Sequence, residues 1–475
     1  MFNKQHIKRF LIATFFSVSF PIYSQTPCSN GSAGAYDCAG YDLMDHIDLA
    51  TMNAGSANDS WGWTDPQNGD EYALMGLNNG TAFIDISDPA NAIYLGKLPS
   101  HTNSSSWRDI KVYQNYAFIV SEVSGHGMQV FDLTRLRNQA STPQTFTEDA
   151  HYDSFGNAHN LVINPEQPVA YAVGTQTFLG GAHFIDISDP LNPVGIGGYS
   201  GSSYSHDAQV VTYSGPDTDH QGKEIFIGSN EDEVAIVDVT NAVNPQLISS
   251  FSYTNVAYTH QGWLTEDHQY FLLGDELDEL NFGFQAKTII VDLTDLDNPV
   301  LHFNYYSSKN AIDHNGYVKG DTFYQASYTA GLRVIDISDI ENQNMTEVGS
   351  FDTFPTSNDA GFSGAWSIYP FFDSKNIIIS DIDTGFYLVR DSSLDNVEVE
   401  DQKLEIYPNP ANQIVKLRST DKEIKNVSIY AMNGQLAKRF SDLNMADLQL
   451  DVSNLSSGVY LMEINHNQKE KLIIR

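Results

Sequence analysis

The chain is poor in cysteine and in positive charge. Its 475 residues include two cysteines and 25 lysines plus arginines, against 60 aspartates plus glutamates, for a net charge of −35. Two cysteines exclude a disulfide-dense scaffold, and the acidic balance makes nucleic acids and anionic membrane surfaces poor partners. The sequence also lacks a P-loop, a G-x-S-x-G elbow and an HExxH helix, so a nucleophilic serine mechanism has no support.

Long apolar runs are absent beyond the N-terminal segment. Lys4, Lys8 and Arg9 precede an apolar run from Phe10 to Phe20, which is the pattern of a secretory signal peptide and too short for a membrane span. We predict a signal peptide over residues 1–24 and an exported chain without a transmembrane span.

The two cysteines, Cys28 and Cys38, follow the predicted cleavage point. In an oxidising compartment, two neighbouring cysteines favour one local disulfide, and their spacing does not fit a CxxC metal or redox motif. We predict a disulfide-closed loop over residues 25–40.

The most informative pattern is a strand that ends in Asp and is followed by a turn and a second apolar run. It occurs five times, starting at Phe83, Phe184, Ile236, Ile290 and Val334, and weaker versions start at Val130 and Phe386. Successive units are about 44 to 55 residues apart, the length of a four-stranded propeller blade. The sequence predicts an all-β, seven-bladed β-propeller over residues 41–391. The recurrent Asp is interpreted as a turn residue.

The seventh unit lacks an outer strand, while a strand-like segment precedes the first unit. We predict that residues near Leu43 to Leu49 complete the seventh blade and close the ring, because an open ring would leave unpaired strand edges. An acidic linker is predicted over residues 392–403. Short alternating strands over residues 404–475 predict a small Ig-like β-sandwich.

The tail resembles the type A C-terminal sorting domain of the type IX secretion system. The matching segments are LEIYPNPAN from Leu404, VSIYAMNGQ from Val427, LSSGVYLMEI from Leu455 and the final KLIIR. The resemblance implies a Gram-negative bacterial protein that passes through the periplasm and is carried to the outer surface or beyond by that machinery, its partner.

The body resembles the choice-of-anchor B family, whose repeats are of the LVIVD type. Besides the repeat phrases, the matching stretches are WRDIKVYQNYAFIVSE from Trp107, HQGWLTEDHQYFLLGDELDELNFG from His260 and GAWSIYPFF from Gly364. The resemblance implies a repeat propeller at the cell surface, and it names no biochemical activity.

A second recurrent position lies upstream of each repeat phrase. We expect these residues to open the innermost strands and to meet at one end of the channel: Trp61, Trp107, His159, His206, His260, His314 and Trp366. Polar residues expected on the same face are Glu122, Asn230, Asp275, Glu276 and Asp381, with Asp109, Asp207 and Asp313 beside the ring positions.

Imidazole nitrogen and carboxylate oxygen together suit Zn, Mn, Fe or Cu ions. The candidate metal ligands are His159, His206, His260 and His314, and Glu122 or Asp275 would act as the base for a metal-bound water. A seven-bladed ring is wide, and each ring residue can instead pack at a blade junction, so both interpretations stand. The acidic segment at residues 274–283 is a further candidate cation site, although it lacks the EF-hand spacing.

Two functions follow from this reading. The first is a binding module that presents a polar, aromatic-edged channel mouth to a glycan, peptide or protein, with Trp61, Trp107, Asp109, Asp207, Asn230, Trp366 and Asp381 as its ligand-binding residues. The alternative is a hydrolase that uses a divalent metal as cofactor. We favour binding, because no complete catalytic constellation can be assembled from the sequence.

Overall fold

The computed structural model describes residues 25–139, 141–202, 204–395, 404–419, 423–431, 435–441, 443–465 and 468–475. The predicted signal peptide and most of the predicted linker lie outside these ranges. The chain divides into two units, with the boundary between Ser392 and Ser393. No helix among the described residues is long and apolar enough to cross a membrane.

The first unit begins with three strands that pair with sheets formed much later in the chain. They are β1 (Ser32–Ala33), β2 (Tyr36–Ala39) and β3 (Tyr41–Asp48). Strand β1 pairs with β2. A disulfide joins Cys28 to Cys38, with the Cα atoms 5.9 Å apart, which confirms the predicted bond.

Among the described residues, the next 28 strands build most of seven sheets, arranged in the order of the chain; their strands pair antiparallel, apart from one parallel pair in the first sheet. The first sheet contains β4 (Ala57–Thr64), β5 (Glu71–Leu77), β6 (Gly80–Asp85) and β7 (Ile93–Pro99). The second contains β8 (Arg108–Tyr113), β9 (Tyr116–Ser121) and β10 (Met128–Asp132); β11 (Gln144–Thr145) runs beside β7 of the first sheet, and β12 (Ala150–Tyr152) completes the second.

The third, fourth and fifth sheets each contain four consecutive strands. The third has β13 (Asn160–Ile163), β14 (Val169–Val173), β15 (His183–Asp186) and β16 (Val194–Gly198). The fourth has β17 (Asp207–Thr212), β18 (Glu224–Ser229), β19 (Val234–Asp238) and β20 (Gln246–Phe251). The fifth has β21 (Thr259–Leu264), β22 (Tyr270–Asp275), then the helix α1 (Asp278–Phe282), β23 (Lys287–Asp292) and β24 (Val300–Tyr306).

The last two sheets include the N-terminal strands. The sixth has β25 (Gly316–Lys319), β26 (Thr322–Ala326), β27 (Leu332–Asp339) and β28 (Asn344–Phe351), and β2 pairs with β28. The seventh has β29 (Ala365–Tyr369), β30 (Asn376–Asp381) and β31 (Gly385–Asp391), and it is followed by the short helix α2 (Ser392–Asp395). Strand β3 is the fourth strand of this sheet, with Tyr41 opposite Asp391 and Asp48 opposite Gly385.

We call β4, β8, β13, β17, β21, β25 and β29 the first strands, because each opens its sheet. Each first strand contacts the first strand of the next sheet, and β29 contacts β4. Hydrophobic clusters lie between neighbouring sheets, for example between the first and second sheets around Phe83 and Phe131. The sheets therefore follow one another as packed layers, as in a β-propeller.

The Asp residues of the repeat phrase are turn residues. Asp85 Oδ1 accepts hydrogen bonds from the Ser87 N–H (3.0 Å) and hydroxyl (2.6 Å). The same bond to the backbone N–H two residues later recurs from Asp132, Asp186, Asp238, Asp292 and Asp336. Such a bond stabilises a turn locally, so these carboxylates belong to the scaffold.

Four polar side chains of the first strands connect neighbouring sheets. Each is buried and accepts a hydrogen bond from a backbone N–H of the first strand of the next sheet. Both the buried side-chain oxygen and the N–H group thereby gain a hydrogen-bond partner. The four contacts are Asp59 to Ile110 (3.1 Å), Asp109 to Leu161 (2.7 Å), Gln209 to Leu264 (2.8 Å) and Gln261 to Gly316 (3.0 Å).

The described residues of the second unit form seven strands in two sheets. One sheet contains β32 (Leu404–Tyr407), β33 (Ile414–Ser419) and β36 (Asp447–Asp451); the other contains β34 (Val427–Ala431), β35 (Leu436–Phe440), β37 (Gly458–Ile464) and β38 (Gln468–Ile474). Side chains from both sheets, such as Leu417 and Met462, share one hydrophobic core. Two sheets over a common core are the arrangement of a β-sandwich.

Candidate functional sites at the two ends of the first strands

Four histidines lie in a continuous row at the starts of four consecutive first strands. The ring centroids of His159 and His206 are 4.0 Å apart, those of His206 and His260 are 4.5 Å apart, and those of His260 and His314 are 4.3 Å apart. The Trp366 ring continues the row, 4.8 Å from His314. We call these four imidazoles the histidine row. The structure brings the four candidate metal ligands together.

The hydrogen bonds of the row fix the protonation of two of its rings. His314 Nδ1 lies 2.6 Å from the Trp366 carbonyl oxygen, and His206 Nδ1 lies 3.2 Å from the His260 carbonyl oxygen. A carbonyl oxygen only accepts, so each Nδ1 carries the proton. In the neutral rings, Nε2 is then left with a free lone pair, as a metal ligand requires.

A carboxylate, Glu276, lies between two members of the row. Its oxygens are 3.8 Å from His260 Nε2 and 3.7 Å from His314 Nε2, and it accepts a 2.7 Å hydrogen bond from the Tyr328 hydroxyl. Burial lowers the pKa of both His260 and His314 to about 3, so both imidazoles are neutral near pH 7.

Of the two carboxylates predicted to act as a base, one is fully engaged. Asp275 is buried and accepts hydrogen bonds from the Tyr253 hydroxyl (2.8 Å) and from the backbone N–H groups of Ala257 (2.8 Å) and Tyr258 (2.7 Å). It therefore holds the loop before β21. Glu122 Oε1 is 2.5 Å from His159 Nδ1, at the end of the row away from Glu276.

Other predicted site residues also have local structural partners. Asn230 accepts a hydrogen bond from the Ser205 hydroxyl (2.7 Å) and donates to the Ser202 carbonyl, and Asp381 accepts from the N–H groups of Asp383 and Thr384 (2.9 Å each). Both side chains stabilise loops beside the row.

The acidic segment after β22 forms the helix α1 and buries its charges. Lys287 forms an ion pair with Asp278, and burial raises the pKa of Glu279 to about 8, with the Asp278 charge as a second cause. Burial also raises the pKa of Asp313, next to the acidic neighbours Glu279 and Asp278. In the part of the chain that the structure describes, these carboxylates do not come together as a three-ligand set; the two sets that do are His260, Glu276 and His314, and Asp217, His220 and Asp297.

The other ends of the first strands surround a cavity of about 590 Å³. All seven first strands contribute to its wall, and its aromatic lining residues include Trp61, Trp263, Tyr317, Tyr369 and Phe371. We call it the aromatic cavity. Its rings contact one another mainly edge to face, with centroid distances of 5.2 Å for Trp61 and Tyr369, 5.0 Å for Trp263 and Tyr317, and 5.4 Å for Tyr369 and Phe371.

Trp61 therefore does not belong to the row in which the sequence placed it. It lies beside Lys111, whose Nζ is 4.7 Å from the Trp61 ring centroid. The pairing of β4 with β5 shifts register at Asn58 and Asp59. These two residues, and not Trp61, stand at the start of β4. Trp107 does stand at a strand start, but it is 46% exposed and is outside the chain of ring contacts.

The polar part of the cavity contains one cation among several acceptors. Lys111 Nζ donates to Asp109 Oδ1 (2.6 Å), Asp59 Oδ2 (3.4 Å) and the Ile110 carbonyl (3.1 Å), which engages all three of its protons. Asp207 also lines the cavity, and burial raises its pKa to about 7, with the nearby Asp109 charge as a second cause. The cavity thus offers mainly hydrogen-bond acceptors.

Sequence reasoning missed most of the aromatic cavity. Trp263, Tyr317 and Tyr369 each follow a predicted row residue by three positions, after His260, His314 and Trp366. A recurrent aromatic residue at this offset was the available signal.

Two family models match parts of the chain. Residues 405–475 match the secretion system C-terminal sorting domain, and residues 317–353 match the LVIVD repeat. The sorting domain indicates secretion by the type IX system to the cell surface or the exterior, and it implies contact with that machinery. A search of the curated proteins finds no match.

Several solved structures are similar in fold. Hydrazine synthase of Kuenenia stuttgartiensis has a TM-score of 0.49 at 11% identity, covering 72% of this chain and 97% of that chain. PorZ, a surface component of the type IX secretion system of Porphyromonas gingivalis, has a TM-score of 0.43 at 12% identity, covering 86% and 58%. The β-propeller domain of Cps50 (Swd1) from Myceliophteria thermophila has a TM-score of 0.45 at 10% identity, covering 73% and 98%. Similarity at this level does not extend to function.

Proposed function

We propose that this secreted protein is a closed seven-bladed β-propeller that binds a neutral sugar unit in its aromatic cavity. Seven consecutive sheets, contact between β29 and β4, and pairing of β3 with β31 support a closed ring. In this arrangement the first strands surround a central channel. The histidine row and the aromatic cavity lie at its two ends.

The aromatic cavity is the observation that carries the proposal. Its volume of about 590 Å³ falls within the ~300–1,000 Å³ of typical small-molecule sites, which combine apolar walls with a few placed polar groups. A sugar ring presents an apolar C–H face and a rim of hydroxyl groups. The rings of Trp263 and Tyr369 suit the first, and the carboxyl group of Asp207 suits the second.

The charges of the cavity argue against an anionic ligand. The ammonium group of Lys111 donates all three of its hydrogen bonds to Asp59, Asp109 and a backbone carbonyl. It therefore has no proton left for an anionic ligand in the cavity. A carboxylate or phosphate would approach fixed acceptors and would lose its hydration without compensation. A hydroxyl-rich neutral ligand meets these acceptors with donors.

The alternative, a metal-dependent hydrolase at the histidine row, is less well supported as a function. Asp275 is engaged in holding a loop, and Glu122 is paired with His159. Both carboxylates are therefore already engaged, and neither is free to act as the base that the mechanism needs.

Binding to an array of neutral oligosaccharides, followed by calorimetry with the best ligand, tests the proposal. Trp263→Ala should weaken binding at least about 30-fold, the effect of a hot-spot aromatic residue. Trp107→Ala is the matched control, because it removes the same side chain from the other end of a first strand, and its affinity should equal that of the wild type.

Three results would contradict the proposal. They are failure of the wild type to bind any neutral glycan, binding of charged peptides alone, and equal affinity of Trp263→Ala and the wild type. Thermal unfolding of each variant shows whether a loss of binding reflects a loss of fold.

A further inference from the structure

We propose that His260, Glu276 and His314 form a binding site for one first-row divalent transition-metal ion, with Zn²⁺ as the probe ion. The site lies in the histidine row and is independent of the sugar site proposed above. It uses two imidazole nitrogens and one carboxylate, contributed from the fifth and sixth sheets and the loop after β22.

The three side chains already have the spacing of a metal site. One ligand atom of each lies within 4.8 Å of the other two, and the Glu276 oxygens are 3.8 Å and 3.7 Å from the two Nε2 atoms. Zn²⁺ binds nitrogen at about 2.0–2.1 Å and carboxylate oxygen at about 2.0–2.2 Å. Two such ligands at an angle near 120° are about 3.6 Å apart, so small rotations of the side chains would complete the coordination.

The contact between His314 and Glu276 is unfavourable without a cation. The proton of His314 lies on Nδ1, where it donates to the Trp366 carbonyl, so the neutral ring directs the Nε2 lone pair towards the carboxylate. The distance of 3.7 Å is too long for a hydrogen bond. A lone pair and a carboxylate that face each other across this gap create a place for a positive ion.

His260 points to the same conclusion independently. The residue is 2% exposed, and its buried Nδ1 atom has no hydrogen-bond partner among the described residues. Its Nε2 atom is 3.8 Å from Glu276, beyond hydrogen-bonding distance. A metal ion bound at Nε2 would give this buried ring a partner at one of its two nitrogens.

The surroundings of the three ligands resemble the outer shell of known types of metal site. Metal-binding imidazoles usually donate their other N–H to a carbonyl or carboxylate, and ligating carboxylates are themselves hydrogen-bonded. The Trp366 carbonyl serves His314 in this way, and the Tyr328 hydroxyl donates to Glu276. Three protein ligands also leave a coordination position open, as in catalytic rather than structural zinc sites.

The second three-residue set in the described part of the chain is Asp217, His220 and Asp297. It differs from the first because its imidazole already has hydrogen-bond partners and because one of its carboxylates is exposed. His220 Nε2 is 3.0 Å from Asp297 in a direct hydrogen bond, and the Asp297 side chain is 64% exposed. The ring's other nitrogen faces Lys223 Nζ at 3.3 Å. This set is satisfied without an ion and provides an internal control.

The test is calorimetric titration of the full, chelator-treated chain with ZnCl₂. We expect one Zn²⁺ per chain, and we expect His260→Gln, His314→Gln and Glu276→Gln each to weaken binding at least 100-fold. His220→Gln is the matched control and should bind as the wild type does. CaCl₂ should not bind at this site, because Ca²⁺ requires a shell of oxygen ligands.

Unfolding experiments separate loss of the site from loss of the fold. Zn²⁺ should raise the Tm of the wild type and of His220→Gln but not that of His314→Gln, because an ion that binds only the folded state stabilises it. The proposal is overturned if the wild type binds no Zn²⁺, if the three ligand variants bind like the wild type, or if His220→Gln abolishes binding.

Discussion

The histidine row lies at the starts of the first strands, whereas the aromatic rings of the cavity lie further along them, and the two regions treat charge in opposite ways. Beside the cavity, the buried carboxylates Asp59 and Asp109 have a cation of their own, Lys111. In the row, Glu276 faces two imidazoles and receives only the Tyr328 hydroxyl. The carboxylates beside the cavity are thus neutralised by a lysine of the protein itself, whereas Glu276 in the row has no lysine or arginine partner among its contacts and could take a bound cation.

The largest expected effect tests the internal neutralisation. Lys111→Met leaves Asp59 and Asp109 buried without their cation, which should lower the free energy of unfolding by about 3–5 kcal/mol. Urea unfolding measures it. Lys223→Met is the control: Lys223 pairs with Asp238 at 3.4 Å near the surface, and its loss should cost less than about 1 kcal/mol. Equal losses of stability in the two variants would show that Lys111 does not neutralise buried carboxylates.

The next prediction tests whether the two ends act independently. Trp263→Ala should weaken sugar binding about 30-fold or more and leave Zn²⁺ affinity unchanged. His314→Gln should weaken Zn²⁺ binding and leave sugar affinity unchanged. Both ligands are titrated into both variants. If either substitution weakens both ligands by similar factors, the ends are coupled, and the comparison as drawn is wrong.

A smaller effect is expected from the hydroxyl that orients Glu276. Tyr328→Phe removes the 2.7 Å hydrogen bond but keeps the aromatic ring, and it should lower Zn²⁺ affinity by about tenfold, as is typical of outer-shell partners. Calorimetry measures the change. Tyr317→Phe, in the aromatic cavity, is the control and should leave Zn²⁺ affinity unaltered.

The last expected effect is a pH dependence of stability caused by Asp207, which lines the cavity. The folded-state pKa of Asp207 is raised to about 7, above the ordinary value of about 3.9. Between about pH 4 and pH 7 the folded state therefore binds more protons than the unfolded state, and stability from this group falls as the pH rises. Asp207→Asn removes this loss, so it should stabilise the chain more at pH 8.5 than at pH 4.5, by on the order of 1–3 kcal/mol.

Asp336 gives the matched control for that titration. Hydrogen bonds from Ser338 lower its pKa, so its contribution is lost only as the pH falls below about 4. The effect of Asp336→Asn on stability should therefore be nearly the same at pH 8.5 and pH 4.5. A similar pH dependence in both variants would show that Asp207 is not the titrating group.

The repeat pattern indicated the strand-and-turn units and the four histidines of the row, because these depend on local chemistry and on the spacing of the repeat. An Asp such as Asp85 bonds to a backbone N–H two residues away, so its role can be read from the adjacent sequence. The positions of His159, His206, His260 and His314 follow from the repeat spacing, and the structure brings them together.

The positions of site residues were predicted wrongly where they depend on strand register or on contacts between distant parts of the chain. Trp61 was aligned with the row, but it is the fifth residue of β4 and lines the cavity, as Trp263, the fifth residue of β21, does. Asp275 and Asn230 were expected at a ligand site, and each is engaged by a loop whose path the sequence does not specify. Lys111 could not be identified in advance, because its two partners come together only when neighbouring sheets pack.

The pairing of β3 with β31 also bears on when the protein can fold. Tyr41 and Asp391 are opposite each other, about as far apart in sequence as the first unit allows. Bringing them together carries the entropy of a very long loop, and such non-local pairings slow folding. The seventh sheet cannot be completed until almost all of the first unit has been synthesised, whereas the sorting domain lies wholly after β31 in the sequence.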